Sequence, residues 1–281
     1  MTPESDWFPA PGKLNLLLHV LGRRDDGYHE LQTVFRLLDR QDRVRVRVHA
    51  EGGIGFDPPL AGVAREDNLC VRAARLLQAE TRTTLGAELS LDKQLPLGAG
   101  LGGGSSDAAT VLLVLNRLWR TDLTRAELMR LGTRLGADVP VFVYGRNALG
   151  EGIGERLTAL ELPDAWYLVL VPPVSVATAA IFSDNALTRN TKPLTIPPFF
   201  RGLGRNDLEA VVVRRHPQIG AHLSWLRTRR PDARLTGSGA CVFAEFDDGA
   251  AAHAMLAELP EGMRGFVARG LGHHPLHGWA K

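Results

Sequence analysis

The sequence predicts an α+β fold in two lobes of similar size with a cleft between them. Three observations carry this. Strands alternate with helices through the first half, a glycine-rich loop at 96–106 joins a strand to a helix, and beyond Glu161 to Asp164 the same mixture begins again. With 281 residues, 44% of them hydrophobic, the chain is long enough to bury a sizeable core in each lobe.

The first element is Leu14 to Leu21, a continuous apolar run read as a buried strand, fed by a turn over Pro9 to Lys13. Val44 to Val48 alternates valine with arginine and reads as a half-buried strand. A helix follows from about Asp67 to Ala79. Ala87, Leu89 and Leu91 then alternate with Glu88, Ser90 and Asp92, a strand running directly into the loop. Past the loop, Ala108, Val111, Leu112, Leu115, Leu118 and Trp119 fall on one helical stripe. The next helix opens on the capping box Thr124-x-x-Glu127 and stops at Gly136. Asp138 lies just beyond it, ahead of a strand-like apolar stretch. In the second half we read a strand at Tyr167 to Val171, a helix around Ala179, a proline-rich connector at Lys192 to Arg201, and helices near Asp207 and Ala250 flanking a strand at Cys241 to Phe246.

The charge balance excludes more than it suggests. Thirty-three basic and 31 acidic residues are spread along the chain without long like-charged runs, so neither a nucleic-acid nor a membrane partner is expected. The N-terminal residues do not read as a signal peptide, and no apolar run approaches the roughly 18 residues that cross a bilayer. A cytoplasmic protein is the expectation. Cys70 and Cys241 lie far apart in apolar surroundings and read as reduced core residues. Only four residues are lysines, so a lysine inside a motif carries information.

The loop is Pro96, Leu97, Gly98, Ala99, Gly100, Leu101, Gly102, Gly103, Gly104, Ser105 and Ser106, immediately before an apolar helix. Glycines let backbone N–H groups approach an anion, and the helix start adds unpaired donors and a positive dipole end. This is phosphate-binding chemistry, and the alternative is a surface connection. It is not a P-loop, because Gly104 stands where that pattern requires lysine. Gly98, Gly100 and Gly103 satisfy G-x-G-x-x-G, but the helix is followed by another helix, not by the strand a dinucleotide fold needs. Counter-charge must come from elsewhere. Lys13 could supply it or be a solvated lysine at a strand mouth, and Asp138 is either a functional base or a turn cap; spacing does not choose.

Five segments together resemble the GHMP family of small-molecule kinases. They are Pro9 to Leu16, Arg24 to Leu31 containing Asp-Gly-Tyr-His, the loop, Gly136 to Phe142, and Thr236 to Phe243. The resemblance implies a ribosomal-S5-like N-terminal domain that binds ATP, residues 1–162, and a GHMP C-terminal domain, residues 163–281, with both ligands meeting in the cleft. It implies ATP with Mg²⁺, the loop on the nucleotide phosphates, Asp138 as the base and Lys13 beside it. The Asp-Gly-Tyr-His and Gly-Ala-Asp-Val-Pro segments are similar to those of family members that phosphorylate a cytidine diphosphate methylerythritol on its 2-hydroxyl. That similarity implies Tyr28, His29 and Phe182 around the cytosine, as an aromatic sandwich with the imidazole on the base edge, together with a polar contact from Asn15 near the catalytic pair and one to the substrate from Thr178. The Thr236 to Gly239 turn would close the site.

Ala99 departs from the family's glycine, and no acidic ligand for magnesium is evident, leaving Ser105 or Ser106 as candidates. Two other readings use the same residues. One is a GHMP kinase acting on another alcohol, such as mevalonate or homoserine; the other is a non-catalytic nucleotide- or RNA-binding protein.

Overall fold

The computed structural model describes residues 7–195 and 204–281. The strands are β1 Trp7–Arg23, β2 His29–His49, β3 Ile54–Phe56, β4 Gly86–Asp92, β5 Ala148–Gly152, β6 Arg156–Ala159, β7 Trp166–Leu170, β8 Arg234–Leu235, β9 Val242–Phe246 and β10 Gly265–Leu271. The helices are α1 Leu69–Thr81, α2 Gly103–Leu118, α3 Arg125–Leu135, α4 Val139–Tyr144, α5 Thr178–Phe182, α6 Glu209–Arg215, α7 Pro217–Arg227 and α8 Gly249–Ala257.

One sheet runs β3-β4-β2-β10-β7-β9-β8, with β1 and β5 also paired to β2 and β6 paired to β5. β2 spans 21 residues and serves several neighbours. Leu31 to Phe35 pair with β5, Arg43 to His49 pair with β4, and Leu37 and Leu38 meet β10. β10 therefore fastens the second half of the chain to the first, because it also pairs antiparallel with β7 along Gly265 to Arg269.

Three apolar clusters follow this plan. Helices α1 to α4 pack on β1, β2 and β4 through Leu77, Val111, Leu115, Leu131 and Phe142. On the other side, α6, α7 and α8 pack on β7 and β9 through Val212, Leu223, Leu226 and Ala252. The third cluster lies between the halves and joins Leu14 and Leu38 to Tyr167, Val169 and Phe243. Ala99 and Leu101 of the glycine loop belong to it, with Leu95 just ahead of the loop, so the loop is anchored by its own apolar residues. Leu97, at its tip, stays 54% exposed.

Several expectations change. β1 begins at Trp7, so Pro9 to Lys13 is strand and not a turn; register shifts at Pro11/Lys13 and Asn15/Leu17 let the strand accommodate its prolines and re-aim its side chains. Val139 to Phe142 is helix rather than strand. Pro140 sits in the first turn, where its missing N–H costs nothing, and Gly145 ends the helix at φ 72°. Burial on every side removed the periodicity that separates the two states. Thr124 and Glu127 form the full capping box ahead of α3. The connector at Lys192 to Arg201 falls largely on residues 196–203, outside the described residues. The last residues return to the first half, where Arg125 Nη2 donates to the carbonyls of His277 and Ala280.

Candidate active site

A cleft of about 840 Å³ opens between the halves. The glycine loop forms one wall, the β1–β2 hairpin another, and α5 with the Gly237 to Gly239 turn the third. It lies within the size range of small-molecule sites.

The loop alternates buried anchors with turning glycines. Gly98, Gly100 and Gly102 have φ of 62°, 80° and 70°, conformations closed to most side chains, whereas Ala99 is not among the positive-φ residues. Alanine there is compatible with the loop, and its carbonyl accepts from Cys241 N at 3.1 Å. Gly100 is required by proximity as well, since a Cβ on it would meet Thr236 O at 2.4 Å. The two glycine segments thus dock backbone to backbone. α2 starts at Gly103 with Gly102 as its N-cap and no side-chain cap, so its first N–H groups remain donors for an anion.

Lys13 holds the loop at two points. Its backbone N donates to Leu101 O at 2.9 Å and its Nζ to Gly100 O at 3.0 Å. The same Nζ donates to Asn15 Oδ1 at 2.6 Å and lies 3.2 Å from Asp138 Oδ2. Lys13 is almost wholly buried, with a side-chain exposure of 3% against 35% for Asp138. Asp138 occupies the N-cap position of α4 but caps nothing with its side chain. Its carboxylate faces the lysine and the cleft instead. Asn15 is fixed from both sides, donating through Nδ2 to Thr33 Oγ1 and through its backbone N to Thr236 Oγ1.

At the opposite end, His29 begins β2 and its ring lies 5.1 Å from that of Phe182, tilted by 34°. Tyr28 stands at the mouth, 60% exposed. Thr178 Oγ1 is 2.7 Å from Ser238 Oγ, linking α5 to the C-terminal glycine turn.

The residues singled out from the sequence line this cleft save Ser106 and Thr236, the latter accepting from Asn15 N through its hydroxyl instead. Ser106 is fully buried and lies outside the lining, its backbone N bonded to Gly102 O. Its Oγ has no hydrogen-bond partner. Ser105 lines the cleft. Among the described residues no group of three or more His, Cys, Asp or Glu side chains could hold a metal.

Two positions escaped the sequence reading. Lys93, at the mouth of the loop, bridges Asp42 Oδ2 at 2.5 Å and Asp107 Oδ2 at 2.9 Å. Asp42 also accepts from the backbone N of Gln94 and of Leu95, so this network pins the segment entering the loop to the helix leaving it. Burial pushes the Asp107 carboxyl up to about 7; Lys93 opposes that rise and Asp42 adds to it. The scarcity of lysine was a usable signal, since two of the four lysines line the cleft. Arg189, which donates from Nε to His29 Nε2 at 3.0 Å, had no signal at all.

The GHMP kinases N terminal domain matches residues 68–146, and the GHMP kinases C terminal domain matches residues 196–265. A 4-diphosphocytidyl-2-C-methyl-D-erythritol kinase of Thiobacillus denitrificans is 59% identical over 273 residues, covering 97% of this chain and 98% of its own. One of Nitrosospira multiformis is 56% identical, covering 97% and 94%. A crystal structure of 4-(cytidine 5'-diphospho)-2C-methyl-D-erythritol kinase superposes with a TM-score of 0.83 at 33% identity, covering 95% of this chain and 99% of that one. A homoserine kinase from Cytophaga hutchinsonii shares the fold at 17% identity, with a TM-score of 0.70 and coverage of 98% and 97%. No helix among the described residues is long and apolar enough to cross a membrane.

Proposed function

Because the chain belongs to the GHMP kinase family, we propose that it transfers the γ-phosphoryl group of ATP to the 2-hydroxyl of 4-diphosphocytidyl-2-C-methyl-D-erythritol, a step of the non-mevalonate isoprenoid route. The carrying observation is the 3.2 Å contact between Lys13 Nζ and Asp138 Oδ2, made by a lysine whose Nζ also binds Gly100 O of the phosphate loop. Proton acceptor, positive charge and phosphate cradle thereby converge on one point.

The residues divide the work by their chemistry. The backbone N–H groups at the start of α2, with Pro96 to Ser105, hold the phosphates. Asp138 takes the proton from the acceptor hydroxyl as the new P–O bond forms. Lys13 offsets negative charge on Asp138 and on the transferring group, in a position already set by Asn15 and Gly100. Tyr28 and Phe182 stack on the cytosine while the His29 imidazole, packed against the Phe182 ring, meets its edge, and Thr178 adds a polar contact to the substrate. Magnesium supplied with ATP would sit on phosphate oxygens and Ser105, neutralising phosphate charge. We assign residues 1–162 to the nucleotide-binding domain and 163–281 to the domain that completes the cleft.

The test is transfer of labelled γ-phosphate from ATP to the cytidyl substrate, with mevalonate and homoserine in parallel. Label in the cytidyl product alone is expected. Transfer to mevalonate or homoserine with none to the cytidyl compound would overturn the reading.

A further inference from the structure

Arg189 and His29 form a contact in the cleft wall that decides a protonation state. Arg189 Nε lies 3.0 Å from His29 Nε2, and a guanidinium can only donate. Nε2 must accept, so the ring is neutral and carries its proton on Nδ1. The surroundings agree. Burial lowers the His29 pKa, and the positive charges of Arg189 and Arg23 lower it further.

Arg189 is itself held in place. Its Nη2 donates to Phe182 O and Asp184 O, both at 2.8 Å, and its Nη1 to Leu187 O at 3.2 Å. One guanidinium therefore fixes the imidazole through a ring nitrogen and the facing phenyl through its backbone carbonyl. The imidazole that would meet the base edge and the phenyl packed beside it are tied to the same group.

We propose that Arg189 is a specificity-determining positioning residue: by occupying Nε2 it makes the His29 ring a donor only, so that the cleft favours cytosine over uracil. This rests on the cytidyl reading given above. Cytosine N3 and O2 both accept hydrogen bonds, whereas uracil N3 carries a hydrogen and donates. A free imidazole exchanges tautomers and serves either base. A ring locked with its proton on Nδ1 meets uracil N3–H donor to donor. Leaving such groups unpaired in a half-buried site corresponds to roughly 5- to 150-fold in discrimination.

The experiment compares kcat/KM on the cytidine-diphosphate substrate and its uridine-diphosphate analogue for the wild type, Arg189→Met and Arg189→Lys. The wild type should favour the cytidyl form by roughly 100-fold. Arg189→Met should reduce that ratio about tenfold with KM for ATP unchanged, and Arg189→Lys, whose ammonium can still donate to Nε2, should retain part of it. Equal losses on both substrates, with the ratio intact, would assign Arg189 to packing alone and overturn the proposal.

A second measurement does not depend on turnover. ¹⁵N spectra of His29 in the full-length protein should show Nδ1 protonated and Nε2 bare, changing to a tautomer mixture in Arg189→Met. A wild-type ring protonated on Nε2 would sink the idea. Failure of the wild type to phosphorylate the cytidyl compound at all would defeat the functional reading and the specificity claim together, whereas an unchanged ratio in Arg189→Met defeats the specificity claim alone.

Discussion

Lys13 Nζ stands 3.2 Å from Asp138 Oδ2, joining the first strand to the start of the fourth helix at the point where the phosphate loop passes Gly100. Lys13 also braces the loop through Gly100 O and Asn15 Oδ1, but neither a helix cap nor a surface charge explains its pairing with Asp138. Asp138 does not cap α4, and Lys13 is too buried to serve as a surface charge.

Asp138→Asn keeps the side chain's size and removes its basicity. It should lower kcat by about 10²- to 10⁴-fold while ATP binding, followed by calorimetry, changes little. Phosphoryl transfer near the wild-type rate would remove Asp138 from the role of base.

The loop separates two substitutions that look alike on paper. Gly102→Ala places a Cβ at φ 70°, within 2.9 Å of the Phe142 ring and 3.0 Å of Lys13 Cε. A higher KM for ATP is expected. Ala99→Gly touches a buried residue without positive φ, so it should leave that KM alone and cost about 0.5 to 1 kcal/mol in urea unfolding.

Asp107 should give stability an unusual pH dependence. Its carboxyl is raised to about 7 in the folded chain, against an ordinary value of 3.8, chiefly by burial. The folded state therefore holds a proton that the unfolded state releases. This contribution is fully present below pH 3.8 and is lost as pH rises through 7. Urea unfolding of Asp107→Asn should lack that fall; identical slopes in variant and wild type would contradict it.

Arg125 fastens the chain's end to the active-site helix. It donates to Val143 O and Tyr144 O at the end of α4, and to His277 O and Ala280 O in the tail. Arg125→Met leaves these carbonyls without their charged partner and should cost about 3 kcal/mol, read as a lower Tm. A Tm within a degree or two of wild type would show that water replaces the guanidinium.

Local pattern carried much of the fold. The strand β4, the helix α2 and the Thr124 capping box all form where the local pattern put them, although α2 is buried on every face rather than along one stripe and Ser90 of β4 is buried as well. Where burial erased periodicity, at Val139 to Phe142, the same reading took helix for strand. Pro9 and Pro11 misled it for a related reason: a bulged strand tolerates prolines that a regular one rejects.

By itself the sequence determined that a glycine loop runs into a helix start with open N–H donors, because glycine spacing and a helix N-terminus are properties of adjacent residues. Only the tertiary structure decided which distant side chains meet there. Lys13 reaches Asp138 because β1 is bulged beside the loop, Lys93 is caught between Asp42 and Asp107, and Arg189 selects the tautomer of His29. Each of these is a long-range contact set by packing and electrostatics, and no local spacing encodes it.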